Sequence, residues 1–112
     1  MSEVVFAMYR AHTGKEKELE KLIEKHVLVL RELELVTHRP KLTLKSSDST
    51  YIEIIEWVDV DATKKAHEHP AVAKVWEAMA TVSDFRKLLD LPEATKAFSH
   101  FQVVNSLSEV FE

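Results

Sequence analysis

The feature that most constrains the fold is a helical stripe of apolar residues near the start of the chain. From Lys15 onward, residues three or four apart are apolar or aromatic, while Lys, Glu and Arg fill the other positions. This spacing places one face against a core and the other in water. It predicts a long amphipathic helix whose buried stripe comprises Leu19, Leu22, Ile23, His26, Val27, Leu30 and Leu33.

Strand patterns lie on both sides of this helix. Val4–Tyr9 is an unbroken apolar run rich in β-branched and aromatic residues, which favours a strand covered on both faces. Gly14, the one glycine in the chain, stands where this strand turns into the helix, so we expect a positive φ there. After Pro40 the chain predicts a strand at Leu42–Leu44, a polar turn at residues 46–49 and a second strand at Thr50–Val58, which together form a hairpin.

In the second half of the chain, the connection between the third and the last strand is predicted to consist of several short helices. Asp59 and Asp61 are suitable N-caps for a short helix that runs through Ala66, and Pro70 suits the first turn of the next helix. A further short helix is predicted from Ser83, followed by a last strand at Ser99–Val104. The predicted apolar faces of these two later helices comprise Val72, Val75, Trp76 and Met79, and Phe85, Leu88 and Leu89.

The order β-α-β-β-α-β predicts one α+β domain, residues 1–112, of ferredoxin-like topology. Such a domain has an antiparallel four-stranded sheet with its helices on one face. The opposite face then needs a cover, and we expect Tyr51, Ile55, Trp57 and Phe101 to supply an apolar surface there. Two copies packed sheet to sheet bury that surface, so a homodimer is predicted.

Composition excludes several classes of function. The chain has no cysteine, so it has no disulfide, thiolate metal site or cysteine nucleophile. Its 19 acidic and 15 basic residues give a net charge of −4, which does not favour nucleic acid as a partner. No stretch has transmembrane length and the N-terminus lacks a basic leader, which indicates a cytoplasmic protein without a membrane partner. One glycine cannot form a phosphate-binding loop.

The segment Glu56–Val72 resembles the strand-to-helix stretch of the antibiotic-biosynthesis-monooxygenase-like proteins. Members of that group have a strand-ending tryptophan, an acidic turn, a helix ending in Ala-His and a second helix with an aromatic residue; here these are Trp57, Asp59, Ala66-His67 and Trp76. The resemblance implies a dimeric α/β barrel with a pocket between sheet and helices. It also implies a cofactor-independent monooxygenase that acts on a small aromatic or polyketide-like compound.

Haem-degrading members of the same fold have a different set of residues. They typically carry an asparagine on the first strand, a tryptophan after the third strand and a haem-ligating histidine on the following helix. The corresponding places here hold Ala7 or Tyr9, His67, and Trp76 or Glu77. Haem is therefore not an expected cofactor, and no other prosthetic group is predicted.

Two residues are candidate general bases, His67 and Glu53. His67 ends the Ala-His motif, and Glu53 shares one strand face with Tyr51 and Trp57, where a carboxylate among aromatics can deprotonate an acidic phenol or enol. Equally, Glu53 can pair with a lysine or arginine of a second copy. Alternation places Tyr9 beside this face, so the predicted pocket residues are Tyr9, Tyr51, Trp57 and Trp76.

The other histidines carry weaker expectations. His67-Glu68-His69 has no third ligand close in sequence, so a metal site is not predicted, and His69 is expected to cap the helix opened by Pro70. His26 lies on the apolar stripe and is expected to be a core residue.

The alternative to an enzyme is a non-catalytic small-molecule-binding or regulatory module. A closed pocket packed with Trp57, Tyr9 and Phe101 favours that module, whereas an open cavity with His67 at its wall favours catalysis.

Overall fold

The computed structural model describes residues 2–104. None of the helices in this range has the length and the apolar character needed to cross a membrane. The helices are α1 Glu16–Glu32, α2 Ala62–Glu68 and α3 Pro70–Val82, and the strands are β1 Glu3–Ala11, β2 Leu42–Lys45, β3 Thr50–Trp57, β4 Ser83–Arg86 and β5 Gln102–Val103.

The strands form one sheet in the order β4-β1-β3-β2-β5, and every neighbouring pair is antiparallel. The first four strands have the ferredoxin-like arrangement, with α1 and α3 packed against each other on one face. The predicted α+β class and topology are confirmed. The described chain has five strands rather than four, because a short strand is added beside β2.

The fourth and fifth strands correct the sequence prediction. Ser83–Arg86 is strand β4 and not the start of a helix, because it pairs with residues 8–11 of β1. Phe85 lies opposite Tyr9, with the ring centroids 5.2 Å apart. The segment predicted as the closing strand, Ser99–Val104, contributes only β5, at the outer edge of the sheet. Tertiary pairing has overridden the local capping pattern here.

Two local predictions are confirmed. Gly14 has φ of +79°, and a Cβ there would meet no atom within 4 Å, so backbone conformation rather than space accounts for glycine. The Nδ1 of His69 accepts a hydrogen bond of 3.1 Å from the amide of Ala71 and so caps α3 at Pro70.

The two sheet faces are the reverse of those predicted. Tyr51, Ile55 and Trp57 are buried beneath the helices: Trp57 packs with Val27 and Leu30 of α1, and Tyr51 lies in the cluster that includes Leu19 and Met79. Alternation along β3 correctly groups these residues on one side. It does not say which side the helices cover, since both sides of this strand are apolar.

The face opposite the helices carries two cross-strand rows. In one row, Leu44, Ile52 and Met8 lie side by side beneath Leu91 and Phe101 of the C-terminal segment. In the other row, Leu42, Ile54 and Phe6 are neighbours in register. There, Phe6 is 49% and Leu42 is 44% exposed. The C-terminal segment thus covers one half of this face and leaves an apolar row beside it.

Candidate active site

A cavity of about 320 Å³ lies between the sheet and helices α2 and α3. It lies beside the first half of β1, because β4 pairs only with residues 8–11 and leaves residues 3–7 without a neighbour on that side within the described chain. Most of the residues that line it are apolar, namely Val5, Phe6, Ala7, Met8, Ile55, Trp57, Trp76 and Phe85. The polar side chains that line it are Tyr9, His26, Thr63, His67 and Arg86.

Beneath the cavity lies the carboxylate of Glu53, which is fully buried on the helix-facing side of β3. It accepts a hydrogen bond of 2.9 Å from the hydroxyl of Tyr9 on β1. The Nδ1 of His26 on α1 lies 2.9 Å and 3.0 Å from its two oxygens. A charged group in the core is tolerated only when it is paired in this way.

The protonation of His26 follows from its second neighbour. The indole Nε1–H of Trp76 on α3 lies 2.8 Å from Nε2 of His26. Because an indole nitrogen can only donate, Nε2 must be the unprotonated acceptor. The remaining proton of the neutral ring is then on Nδ1, where it is donated to Glu53. Tyr9 and His26 thus both donate to Glu53, and Trp76 donates to His26. We call these four residues the Glu53 network.

Tyr9 contributes a hydroxyl that stays protonated. Burial raises the pKa of Tyr9 well above its ordinary value, and the neighbouring Glu53 carboxylate raises it further, because a phenolate there would face a second negative charge. Tyr9 is thus a fixed donor that holds one oxygen of Glu53, and it has no role as a base at neutral pH.

His67 lies at the rim of the cavity rather than at its base. Its side chain is exposed on α2 and its ring meets Trp76 edge-on, with the centroids 4.8 Å apart. Arg86, also at the rim, lies 3.7 Å from the carboxylate of Asp90. The rim therefore carries polar side chains that the apolar walls lack.

The structure brings most of the predicted site residues together. Tyr9, Trp57, Trp76 and His67 all line the cavity. Tyr51 lies away from it, and its hydroxyl donates to Glu20 of α1. Glu53 is beneath the wall and is reached through Tyr9 and His26. It faces the helices, so the predicted pairing with a lysine or arginine of a second copy is wrong.

His26 was expected to be a core residue, and it is buried, but it also lines the cavity. The sequence contains a signal for this role, because one polar residue interrupts each of two facing apolar surfaces. His26 is the polar residue of the apolar stripe on α1, and Glu53 is the charged residue on the inward face of β3. Two polar exceptions on facing apolar surfaces are expected to be partners, because neither is stable there alone.

Known structures share this fold. No family model matches the sequence, and no curated protein matches it. SnoaB, a cofactor-independent oxygenase from Streptomyces nogalater, is 21% identical with a TM-score of 0.58, over 77% of this chain and 88% of its own. A mutant of SnoaB is 19% identical with a TM-score of 0.64, over 76% and 86%. Tetracenomycin F2 cyclase, a type-II polyketide cyclase from Streptomyces glaucescens, is 18% identical with a TM-score of 0.54, over 76% and 80%.

These likenesses span about three quarters of the chain. At 18–21% identity they concern the fold. The resemblance indicated by the Trp57 to Trp76 segment is thereby confirmed at that level: the chain has the antibiotic-biosynthesis-monooxygenase-like fold.

Replacement of Tyr9 by phenylalanine tests the Glu53 network through pH. At pH 7 we expect the Tyr9→Phe variant to lose about 1–3 kcal/mol of unfolding free energy, the contribution of a hydrogen bond to a charged group. Because Tyr9 has a higher pKa folded than unfolded, the native protein loses this stabilisation as the pH rises above about 10, whereas the variant has nothing there to ionise. The difference between the two, measured by urea unfolding, should therefore shrink above that pH. A difference that stays constant to pH 11 would contradict the assignment.

Proposed function

We propose that the protein is a cofactor-independent monooxygenase that acts on a small aromatic, polyketide-like compound, with His26 as its general base. The observation that carries this proposal is the His26–Glu53 pair, which joins a fully buried carboxylate to an imidazole at the wall of an apolar cavity. The sequence pointed to His67 or Glu53 as the base. The geometry supports His26 instead, since Glu53 does not reach the cavity and serves to orient the imidazole.

The arrangement suits proton abstraction. Glu53 holds the proton of His26 on Nδ1, so that the lone pair of Nε2 is the one directed away from the carboxylate. When Nε2 takes a proton from the substrate, the imidazolium that forms is stabilised by the buried carboxylate behind it. An apolar cavity also keeps water from competing for the resulting anion.

Oxygen chemistry then needs no further group from the protein. Removal of a proton from an activated CH₂ leaves a carbanion, and removal of the proton of a phenol leaves a phenolate with carbanion character at a ring C–H carbon. The anion transfers one electron to O₂, and the substrate radical and superoxide that result combine to form the C–O bond. The peroxide anion then takes up a proton and becomes a hydroperoxide. Loss of water from the hydroperoxide leaves a carbonyl. One oxygen atom enters the product and the other leaves as water. The substrate supplies all four electrons that O₂ accepts, two when the hydroperoxide forms and two when its O–O bond breaks, so no flavin or metal is required.

Two further observations support an enzyme of this kind. The cavity is open and has His67 at its rim, whereas Phe101 packs on the opposite face of the sheet. This is the arrangement that favours catalysis over a filled core. The structural neighbours include a cofactor-independent oxygenase and a polyketide cyclase, and both activities are compatible with enolate or phenolate chemistry in this fold.

One observation favours a second candidate, a binding module without catalysis. In the structure the Nε2 of His26 is already occupied by the indole N–H of Trp76. A base whose lone pair is satisfied is inactive until a ligand changes that contact. Oxygen consumption separates the two candidates, because a binding module holds the aromatic ligand and consumes none.

We further propose that the protein is a homodimer, paired through the sheet face opposite the helices. The support is the row formed by Leu42, Ile54 and Phe6, which is continuous across three strands and whose two end residues, Leu42 and Phe6, are exposed beside the C-terminal segment. Apolar rows of this kind are unfavourable in water and are typical of association surfaces. The residues differ from those expected from the sequence, but the predicted mode of pairing is the same.

Substitution of His26 tests the base. With an anthrone as substrate and an oxygen electrode as detector, we expect His26→Gln to lower kcat by about 10²–10⁴-fold, the contribution of general base catalysis. His38→Gln is the matched control, since His38 is exposed in the loop between α1 and β2 and does not line the cavity. His67→Gln is the third variant, because His67 is the other histidine that was a candidate base. If His67→Gln abolished turnover while His26→Gln retained it, the base would be the rim histidine and the proposal for His26 would fail.

A charge on the exposed row tests the dimer. We expect the native chain to sediment as a dimer at micromolar concentration and the Leu42→Lys variant to sediment as a monomer, because a lysine buried within a paired sheet face is desolvated without a partner. Leu28→Lys is the control: Leu28 is 47% exposed, close to the 44% of Leu42, but lies on α1. A native monomer, or equal dissociation by both variants, would count against pairing through this face.

A further inference from the structure

The contact between Trp76 and His26 suggests how the site recognises its substrate. Resting on the proposed function, we infer that the Trp76–His26 hydrogen bond is the slot into which a phenolic or enolic hydroxyl of the substrate inserts. The indole N–H and the imidazole Nε2 are 2.8 Å apart in the structure, and both residues line the cavity. A hydroxyl placed between them donates to Nε2 and accepts from the indole.

The count of hydrogen bonds favours this insertion. One bond, from Trp76 to His26, is broken, and two are formed to a single oxygen atom. A hydroxyl is suited to the slot because it is a donor and an acceptor at one atom. An ether or an isolated ketone oxygen accepts from the indole but leaves Nε2 without a donor, and an unpaired buried acceptor is costly. The slot therefore discriminates between a phenol and its methyl ether of nearly the same shape.

The geometry allows Trp76 to move. Its ring is only partly buried: it packs against the two apolar clusters beneath the helices and also meets the exposed ring of His67 edge-on. An outward shift of the indole thus displaces a rim residue. The apolar walls at Val5, Ile55 and Trp57 remain in place to receive the aromatic ring of the ligand.

Insertion also joins recognition to chemistry. When the hydroxyl proton passes to Nε2, the oxygen becomes a phenolate that accepts a charge-assisted hydrogen bond from Trp76. Glu53 faces His26 from β3 and stabilises the imidazolium, while Tyr9 from β1 stays neutral. The other ionisable groups at the cavity are His67 of α2 and Arg86 of β4, both at the rim. The indole of Trp76 thus occupies the lone pair of the base, and the hydroxyl that the base deprotonates displaces it.

The first test uses two ligands of matched shape, 1-naphthol and 1-methoxynaphthalene, with the native protein. The two indole N–H signals, of Trp57 and Trp76, are resolved by ¹H–¹⁵N NMR and assigned with either the Trp76→Phe or the Trp57→Phe variant. We expect naphthol to shift the Trp76 signal and the Nε2 signal of His26, and to bind at least about ten-fold more tightly than the methyl ether. An unchanged Trp76 signal at saturation, equal affinities, or no naphthol binding up to its solubility limit would each overturn the inference.

The second test follows the ionisation of bound naphthol by its absorbance. We expect Trp76→Phe, which keeps an aromatic ring against His67, to lower the ionisation constant of the bound phenol at least about ten-fold, because the phenolate loses one charged hydrogen bond. Trp57→Phe removes an indole from the same cavity wall but no hydrogen bond to His26, so any change that it causes in this constant should be much smaller than that of Trp76→Phe. Equal effects of the two variants would contradict a specific role for Trp76. If Trp76→Phe does not fold, the ligand pair on the native protein decides alone.

The inference and the proposed oxygenase can fail separately. Selective naphthol binding without oxygen consumption by any phenol or anthrone would leave the hydroxyl slot in place and exclude the oxygenase. Oxygen consumption with an indole signal that never changes would retain the enzyme and remove Trp76 from substrate binding.

Discussion

Glu53 places a carboxylate in the core of a small domain, and the arrangement of the surrounding elements depends on how that charge is satisfied. An unpaired carboxylate at this depth would cost several kcal/mol, of order 3–5 when one partner of such a pair is removed. Tyr9 and His26 meet the requirement from two other elements, and Trp76 fixes the ring of His26 from a third. Strand β1, strand β3 and helices α1 and α3 are thus joined at one buried acceptor, in addition to their apolar packing.

The same network gives the cavity its chemical character. Its walls are apolar, and the polar groups that reach it from below are a hydroxyl held protonated and an imidazole held in one tautomer. Both are hydrogen-bonded to a carboxylate that does not line the cavity. Stability and function are therefore coupled here, because the residue that would be most costly to leave unpaired is also the residue that orients the proposed base.

The sequence predicts the elements well where periodicity is strong. Helix α1, the β2–β3 hairpin and helix α3 follow from apolar spacing, from Pro40 and Pro70, and from a polar turn. Ser83–Arg86 was predicted as a helix start because serine and aspartate favour N-caps, whereas the free edge of β1 makes it a strand. The prediction assigned the helix-covered face of β3 to the wrong side, because Ile52 and Ile54 are as apolar as Ile55 and Trp57.

The sequence identified only some residues of the candidate site, again because it does not show which face of β3 the helices cover. Short-range spacing and family resemblance identified Tyr9, Trp57, His67 and Trp76, which all reach the cavity. The partnership of His26 with Glu53 joins residues 27 positions apart and requires knowledge of which strand face α1 covers. A histidine on an apolar stripe gives no sign of its partner until the facing surface is known. Tyr51, on the same strand face as Glu53, was included by alternation alone, and its hydroxyl is directed to Glu20 instead.

The protonation of His26 in the ligand-free protein tests the central claim most directly. Long-range ¹H–¹⁵N NMR of the imidazole ring distinguishes the two tautomers by the shifts of Nδ1 and Nε2. The Glu53 network predicts the proton on Nδ1, shared with the carboxylate, and an unprotonated Nε2 that accepts from Trp76. A proton found on Nε2 at neutral pH would contradict the account, because the contact with the indole would then join two donors and His26 would have no lone pair facing the cavity.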